Sequence, residues 1–391
     1  MLRIAVALSV WLSVGVITEA QQLIWLGTLP SGRQSRAFGI SANGRVVVGW
    51  SYDANFQARA FRWENGVMLN LGTFGGDRSV AHAASADGQV VVGEARNFAG
   101  VEYAFRWQNG QMRAISNFRS AAMGVSADGN VVVGWVQLPN GQWRAFRWQN
   151  GQMTTLGTLG GIRSEANGVS ADGRYVVGMA TNAAEVWRAF RWDAQTGFMQ
   201  DLGDLGRGLS VAYAVSADGR VVVGSALYPN LNGTAFRWVE GTMQDLGTLG
   251  GNWSEAYGVS ADGQVVVGIS ADRNGWWRPF RWTPQRGMED LNTLYASQLT
   301  DGSWLEAAYD VSADGRWIVG YGYRVATGRY EAFLADTRIT GDANNDGCVD
   351  DVDLLLVLFH FGGAGQGDVN EDGTVDDTDL LTVLFRFGTG C

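Results

Sequence analysis

Short apolar runs, each bounded by glycine-bearing turns, repeat along most of the chain. Runs such as "VVVG" at 46–49, 90–93, 131–134 and 221–224 are short and β-branched. Their unbroken apolar character suits a strand covered on both faces rather than a helix. Ahead of each run stands Ser-Ala-(Asp/Asn)-Gly, starting at Ser41, Ser85, Ser126, Ser170, Ser216, Ser260 and Ser312. The intervals are 44, 41, 44, 46, 44 and 52 residues. Asp-Gly between apolar runs signals a tight hairpin, because glycine accepts the positive φ that the turn needs. The sixth unit divides into "EAYGVS", "QVVVGIS", "RPFRW" and "MEDLNTL", which predicts four strands. No helical periodicity of useful length precedes residue 350.

Seven units of four strands, each about 44 residues long, predict an all-β chain folded as a seven-bladed β-propeller. The last unit ends at "RYEAFLADT" without a fourth strand, while "LIWLGTL" at 23–29 is an unpaired copy of a unit's end. The N-terminal segment is therefore expected to supply the missing strand and close the ring, which removes an open edge. An open solenoid has no reason for that offset.

"RAFRW" at 59–63, 144–148 and 188–192, followed by Asn-Gly-x-Met and Leu-Gly-Thr-Leu-Gly-Gly, resembles the HAF family of extracellular repeats. The resemblance covers residues 23–338 and implies export and a propeller-like fold, with no settled activity. At the family's naming His the chain reads Arg59, Tyr103, Arg144, Arg188, Thr234, Arg278 and Glu331.

Periodic polar residues read as structure. The column Arg62, Arg106, Arg147, Arg191, Arg237 and Arg281 stands beside the turn column Asp87, Asp128, Asp172, Asp218, Asp262 and Asp314. It is expected to make one blade-holding contact per unit. The column from Trp63 to Trp282 is expected to fill the space between blades. The unrepeated aromatics differ. Hairpin parity puts Trp143, Trp187, Trp253, Trp276, Trp277 and Trp304 on the face opposite the Asp-Gly turns. There they can stack on sugar rings or pack against a partner. Glu165, Glu255 and Glu306 are placed near that rim or the central tunnel, which leaves a carboxylate-pair glycosidase open as a rival. His82 and His360 are the only histidines, and no Ser-His-Asp set or His/Cys metal cluster is evident.

Residues 1–20 read as a signal peptide: Arg3, an apolar run from Ile4 to Ile17, and small residues near Ala20. Fourteen residues are too few to span a membrane, so an exported, soluble protein is expected, extracellular or at the cell surface. All 29 basic residues are Arg, which excludes lysine chemistry. Residues 341–391 carry eleven acids and one Arg, so the net charge of −10 resides there and the remaining chain is balanced. A neutral body with an acidic tail argues against nucleic acid and for cations.

The tail holds two copies of one unit, "GDANNDGCVDDVDLLLVLFHFG" and "GDVNEDGTVDDTDLLTVLFRFG", 26 residues apart. Asp342, Asn344, Asp346, Asp350 and Asp353 occupy positions 1, 3, 5, 9 and 12 of a calcium loop. Asp368, Asn370, Asp372, Asp376 and Asp379 do so in the second copy. The carbonyls of Cys348 and Thr374 complete two shells, so two Ca2+ ions are expected. Cys348 and Cys391 are the two cysteines, and an even pair in an exported chain points to a disulfide. That bond requires the two tail helices to lie antiparallel, and their Leu and Phe faces are expected to bury each other.

Loop-then-helix order in tandem, with Asp at position 12, resembles the type I dockerin over residues 341–391. The resemblance implies docking onto a cohesin-bearing or other protein partner, often in polysaccharide-degrading systems. Where that family carries Ser-Thr, the chain reads Asp351-Val352 and Asp377-Thr378. The chain is thus expected to comprise a signal peptide (1–20), a propeller (21–338) and a dockerin-like module (339–391). The expected function is a non-catalytic binding protein whose propeller face recognises polysaccharide. The rivals are a carbohydrate-active enzyme and a structural surface or matrix protein.

Overall fold

The computed structural model describes residues 22–230, 232–344, 348–370 and 372–389. The expected signal peptide, Asp346 and Cys391 lie outside the described residues. Leu23–Thr337 forms one compact unit, and Arg338 onward belongs to another.

Each of the first six repeats of the larger unit becomes four antiparallel strands in chain order. In the first these are Ser35–Ile40, Val46–Tyr52, Ala58–Glu64 and Val67–Asn70. Val46, Val47 and Val48 are buried on the second strand and Phe61 on the third, as the apolar runs require. The sheets of the fifth and sixth repeats are joined by one parallel pair, Gly233 with Trp253. The segment Leu23–Gly27 pairs antiparallel with Arg329–Asp336, matching Leu23 to Ala335 and Trp25 to Phe333. The segment ahead of the first repeat therefore completes the sheet of the last.

Backbone hydrogen bonds between turns close the same circle. The N–H of Ala42 donates to Ala86 O, Ala86 to Ala127, Ala127 to Ala171, Ala171 to Ala217, Ala217 to Ala261, Ala261 to Ala313, and Ala313 back to Ala42. Each turn is rigid enough to do this because its serine works twice. Ser85 Oγ donates to Asp87 Oδ1 at 2.6 Å and accepts the Val90 N–H at 3.0 Å. Gly88 of that turn has φ +68°, and a Cβ there would meet Val46 of the preceding repeat at 2.4 Å. Conformation and packing both demand glycine.

The arginine column staples repeat to repeat. Arg62 Nε donates to Gly88 O (2.9 Å), Arg147 Nε to Gly173 O (3.1 Å) and Arg237 Nε to Gly263 O (2.9 Å). The acceptor is the turn's glycine carbonyl; the neighbouring Asp is held by its own Ser. The Trp column packs into the core, with Trp238 and Trp282 buried and Arg191 lying 4.8 Å over the Trp238 ring.

One expected strand is shorter than its sequence suggested. "MEDLNTL" stays extended only through Gly287–Asp290, and Leu291–Leu294 forms a short helix, α1. Asp290 caps it by accepting the Asn292 N–H at 2.8 Å, a local choice that a period-2 reading does not see.

In the smaller unit α2 (Asp351–His360) and α3 (Asp377–Arg386) each begin with a capping box, Asp350 with Asp353 and Asp376 with Asp379. Val349 N–H donates to Thr389 O and accepts, through its carbonyl, from Gly388. Val375 makes the matching pair with Gly363 and Gly362. Each helix therefore starts beside the other's end, and the two run antiparallel. The expected Leu/Phe interface is a different one. Val349, Val357, Val375 and Val383 form the buried centre, whereas Phe359 and Phe385 are 80 % and 83 % exposed. The helix periodicity turns the valines inward, and a two-helix unit has room to bury one narrow stripe. Among the described residues no helix is long and apolar enough to cross a membrane.

Candidate functional site

The strands Trp277–Thr283 of the sixth repeat and Trp304–Val311 of the seventh border a cleft of about 390 Å³. Trp276, Trp277, Arg278, Trp304, Glu306 and Tyr330 line it. The loop carrying Trp276 is held by Asp272, whose Oδ1 accepts the N–H groups of Asn274 (2.8 Å) and Trp276 (3.0 Å). The other oxygen of Asp272 receives Arg278 Nε at 3.1 Å. These bonds keep Trp276 and Trp277 68 % and 55 % exposed instead of letting them collapse onto the sheet. Behind them, Trp253 lies 5.9 Å from Trp277, and Tyr323 stacks on Trp304 at 4.5 Å.

Four of the six rim tryptophans are thus brought together, and two are not. Trp143 packs on Trp135 at 4.5 Å with Arg119 above it, and half-buried Trp187 stands on the Trp187–Asp193 strand. Tyr330 was missed from sequence although a signal existed. It occupies the column of Trp143, Trp187 and Trp277, immediately before the naming position of the repeat.

From the cleft a file of rings runs to the first strands. Tyr330 lies 6.1 Å from Tyr321, Tyr321 6.1 Å from Tyr309, Tyr309 5.3 Å from Tyr257, and Tyr257 5.0 Å from Tyr213. Arg36 covers Tyr321 at 4.1 Å. Glu255 accepts from Tyr257 Oη at 2.7 Å and from Tyr213 Oη at 3.3 Å. Burial pushes its carboxyl above the usual carboxylate range despite those two donors. Burial raises Glu165 as well. Glu165, Glu255 and Glu306 stand on three separate repeats and share no hydrogen-bond partner among the described residues.

His82 belongs to a different cluster, 3.9 Å from Glu94, which Arg78 reaches at 2.9 Å. Burial works to raise Glu94, but His82 and Arg78 outweigh it and hold the carboxyl low. Arg78, Arg96 and Arg119 all converge on Glu102, so this cluster reads as an ion network.

In the tail, Asp379 folds over its loop and accepts the N–H groups of Val369 (2.8 Å), Asn370 (3.1 Å) and Asp376 (2.9 Å). Asp353 does the same with Ala343, Asn344 and Asp350. Asp368 takes the N–H groups of Asp372 and Gly373. Among the described residues no three His, Cys, Asp or Glu side chains converge as a metal cage. The donor chemistry nonetheless suits a hard cation. Every side-chain donor at the loop positions is oxygen, and Asp368, with about four lone-pair sites, spends two on N–H groups.

No protein-family model and no curated protein sequence matches the chain. Solved structures do. The oligogalacturonate lyase of Vibrio parahaemolyticus aligns with a TM-score of 0.53 at 8 % identity, over 81 % of this chain and 93 % of that one. A puromycin-hydrolyzing peptidase of Mycobacterium tuberculosis gives 0.51 at 16 %, over 78 % and 54 %. TolB from Acinetobacter baumannii gives 0.45 at 14 %, over 66 % of this chain, which spans 62 % of TolB's length. At such identities the likeness to the lyase carries the fold alone: this mostly β body of four-stranded sheets is a β-propeller.

Proposed function

We propose that the chain is a secreted, non-catalytic binding protein: a seven-bladed propeller closed by its N-terminal strand, with a dockerin-like tail. The propeller recognises carbohydrate through the cleft at Trp276, Trp277 and Trp304. The observation that carries this reading is the pair of exposed tryptophans held open beside a third and beside Glu306. Exposed aromatic faces cost hydration free energy unless a ligand covers them, and a pyranose ring has an apolar face of matching size. The full chain on a glycan array should bind a defined subset of polysaccharides, and Trp276→Ala with Trp277→Ala should remove binding without moving the melting point. A wild-type chain that binds no glycan would overturn it.

The tail binds two Ca2+, closes Cys348 to Cys391, and docks a cohesin-like or other protein partner. Its support is the matched folding of both loops around Asp353 and Asp379, and the outward Phe359 and Phe385 with their neighbouring leucines. Circular dichroism of the isolated tail should show helix with calcium and oxidised cysteines, and little with chelator and reductant together. Equal helicity in both states would count against it.

A second reading, a carbohydrate-active enzyme, draws on Glu255, whose raised carboxyl sits between two tyrosine hydroxyls. Product release from a polysaccharide panel by wild type, lost in Glu255→Gln, would establish that reading over the first.

A further inference from the structure

Five of the six sequential junctions between repeats, and the closing one, share a hydrogen bond that the remaining junction lacks. Ala60 N–H donates to Ser79 Oγ at 2.9 Å, and Ala104 with Ser120, Ala145 with Ser164, Ala189 with Ser210, Ala235 with Ser254 and Ala332 with Ser35 repeat it at 2.8–3.0 Å. Between the sixth and seventh repeats both partners are gone. Pro279 stands in the alanine's place and has no N–H. Leu305 takes the serine's place in the register, opposite Gly322, and Glu306 is the extra residue of a bulge between Leu305 and Ala307. The seam is held instead by Asn292 of α1, which donates to Leu305 O at 3.0 Å and accepts the Leu305 N–H at 2.7 Å. Glu306 is thereby released from any part in joining the sheets, and the bulge aims it at the cleft.

The charge of the lining follows. Arg278 is bound to Asp272 at 3.1 Å and lies 4.0 Å from Asp290, so two carboxylates meet its charge. Arg36 lies over Tyr321 and outside the lining. Glu306 makes no ion pair among the described residues. A carboxylate beside aromatic walls accepts hydroxyl donors from a sugar stacked on those walls. It repels a second carboxylate brought to the same place.

We infer that the cleft takes an uncharged pyranose chain, stacked on Trp277 and Trp304 and fixed by hydroxyl donation to Glu306, and that the same carboxylate excludes polyuronides. The inference rests on the carbohydrate reading above and adds the class of sugar and the residue that selects it. The full chain, with calcium present, is titrated at pH 7 against hexasaccharides of glucan, mannan and xylan and against hexagalacturonate. Wild type should bind at least one neutral hexasaccharide about ten-fold or more tighter than hexagalacturonate. Glu306→Gln should weaken the neutral ligand about five-fold and bring hexagalacturonate closer to it, with an unchanged melting point. Preference for hexagalacturonate in the wild type overturns the inference. So does a Glu306→Gln variant with both affinities unaltered while Trp277→Ala abolishes binding, although the carbohydrate reading then survives. Binding of none of the four probes removes both.

Discussion

Two junctions of the propeller show what repetition is for. Between the first and second repeats Ser79 Oγ accepts from Ala60 and donates to Gly72 O, Arg62 reaches Gly88 O, and Val46 fills the space above Gly88. Each of these seam groups finds its partner within the fold, and the cleft of about 760 Å³ at the same junction's rim is lined by other residues, among them Arg59, Asp77, Arg96 and Phe98. Between the sixth and seventh repeats the serine bond is absent, a helix residue does its work, and three tryptophans with the Glu306 carboxylate line an opening. Polar residues that recur once per unit answer a need that recurs once per unit, which is to hold neighbours together. Residues that break the period are released from that duty.

The comparison is broken most severely at the ring closure. Removing residues 21–29 takes away the strand paired with Arg329–Asp336 and exposes an edge. Aggregation, or a melting point lower by on the order of 10 °C, is the expected result by scanning calorimetry. Unchanged melting would mean that the turn circle through Ala42 and Ala313 suffices alone.

A smaller effect separates the two kinds of junction directly. Ser79→Ala leaves the Ala60 N–H and Gly72 O without partners, a loss of about 1–3 kcal/mol in denaturant unfolding. Glu306→Gln, at the irregular junction, should stay within about 0.5 kcal/mol of wild type. Equal destabilisation by both would show that Glu306 serves the seam.

A pH-dependent effect concerns Asp310, at the closing junction. Gly39, Ala83, Gly124, Gly168, Ala214 and Gly258 fill the same column in the other repeats, where inner strands approach closely. A Cβ on Gly258 would lie 2.8 Å from Asp310 Cα. Asp310 instead reaches across to accept the Ile40 N–H at 3.0 Å. Burial pushes its carboxyl up to about 7 from 3.8, against the opposing pull of the Ile40 and Val311 N–H groups. A raised carboxyl stabilises the fold fully below the unfolded value of 3.8 and loses that contribution as pH rises through about 7. Relative to Asp310→Asn, whose amide oxygen keeps the Ile40 bond, wild type should lose roughly 2–3 kcal/mol between pH 5 and 8. Parallel pH profiles for the two proteins would show that Asp310 is ionised throughout.

Much of this was legible in the sequence because periodic information survives reading one residue at a time. The Ser-Ala-Asp-Gly turns, the covered valine strands and the displaced copy at Leu23–Leu29 each specify a local conformation that the whole fold repeats. The six rim tryptophans were visible too, but as a set with no geometry. Only packing separated Trp143, held on Trp135, from Trp276 and Trp277, held open by Asp272. The α1 helix was hidden because four residues carry no periodicity; Asp290 makes it through a cap. In the tail, likewise, the sequence shows that both helices are apolar. It does not show that four valines fill the centre while Phe359 and Phe385 stay outside. Pro279 and Leu305 lie 26 positions apart, and each alone is an ordinary substitution. Their joint meaning appears when the sheets meet, because a hydrogen bond between repeats is a property of two strands that the chain's order does not bring together.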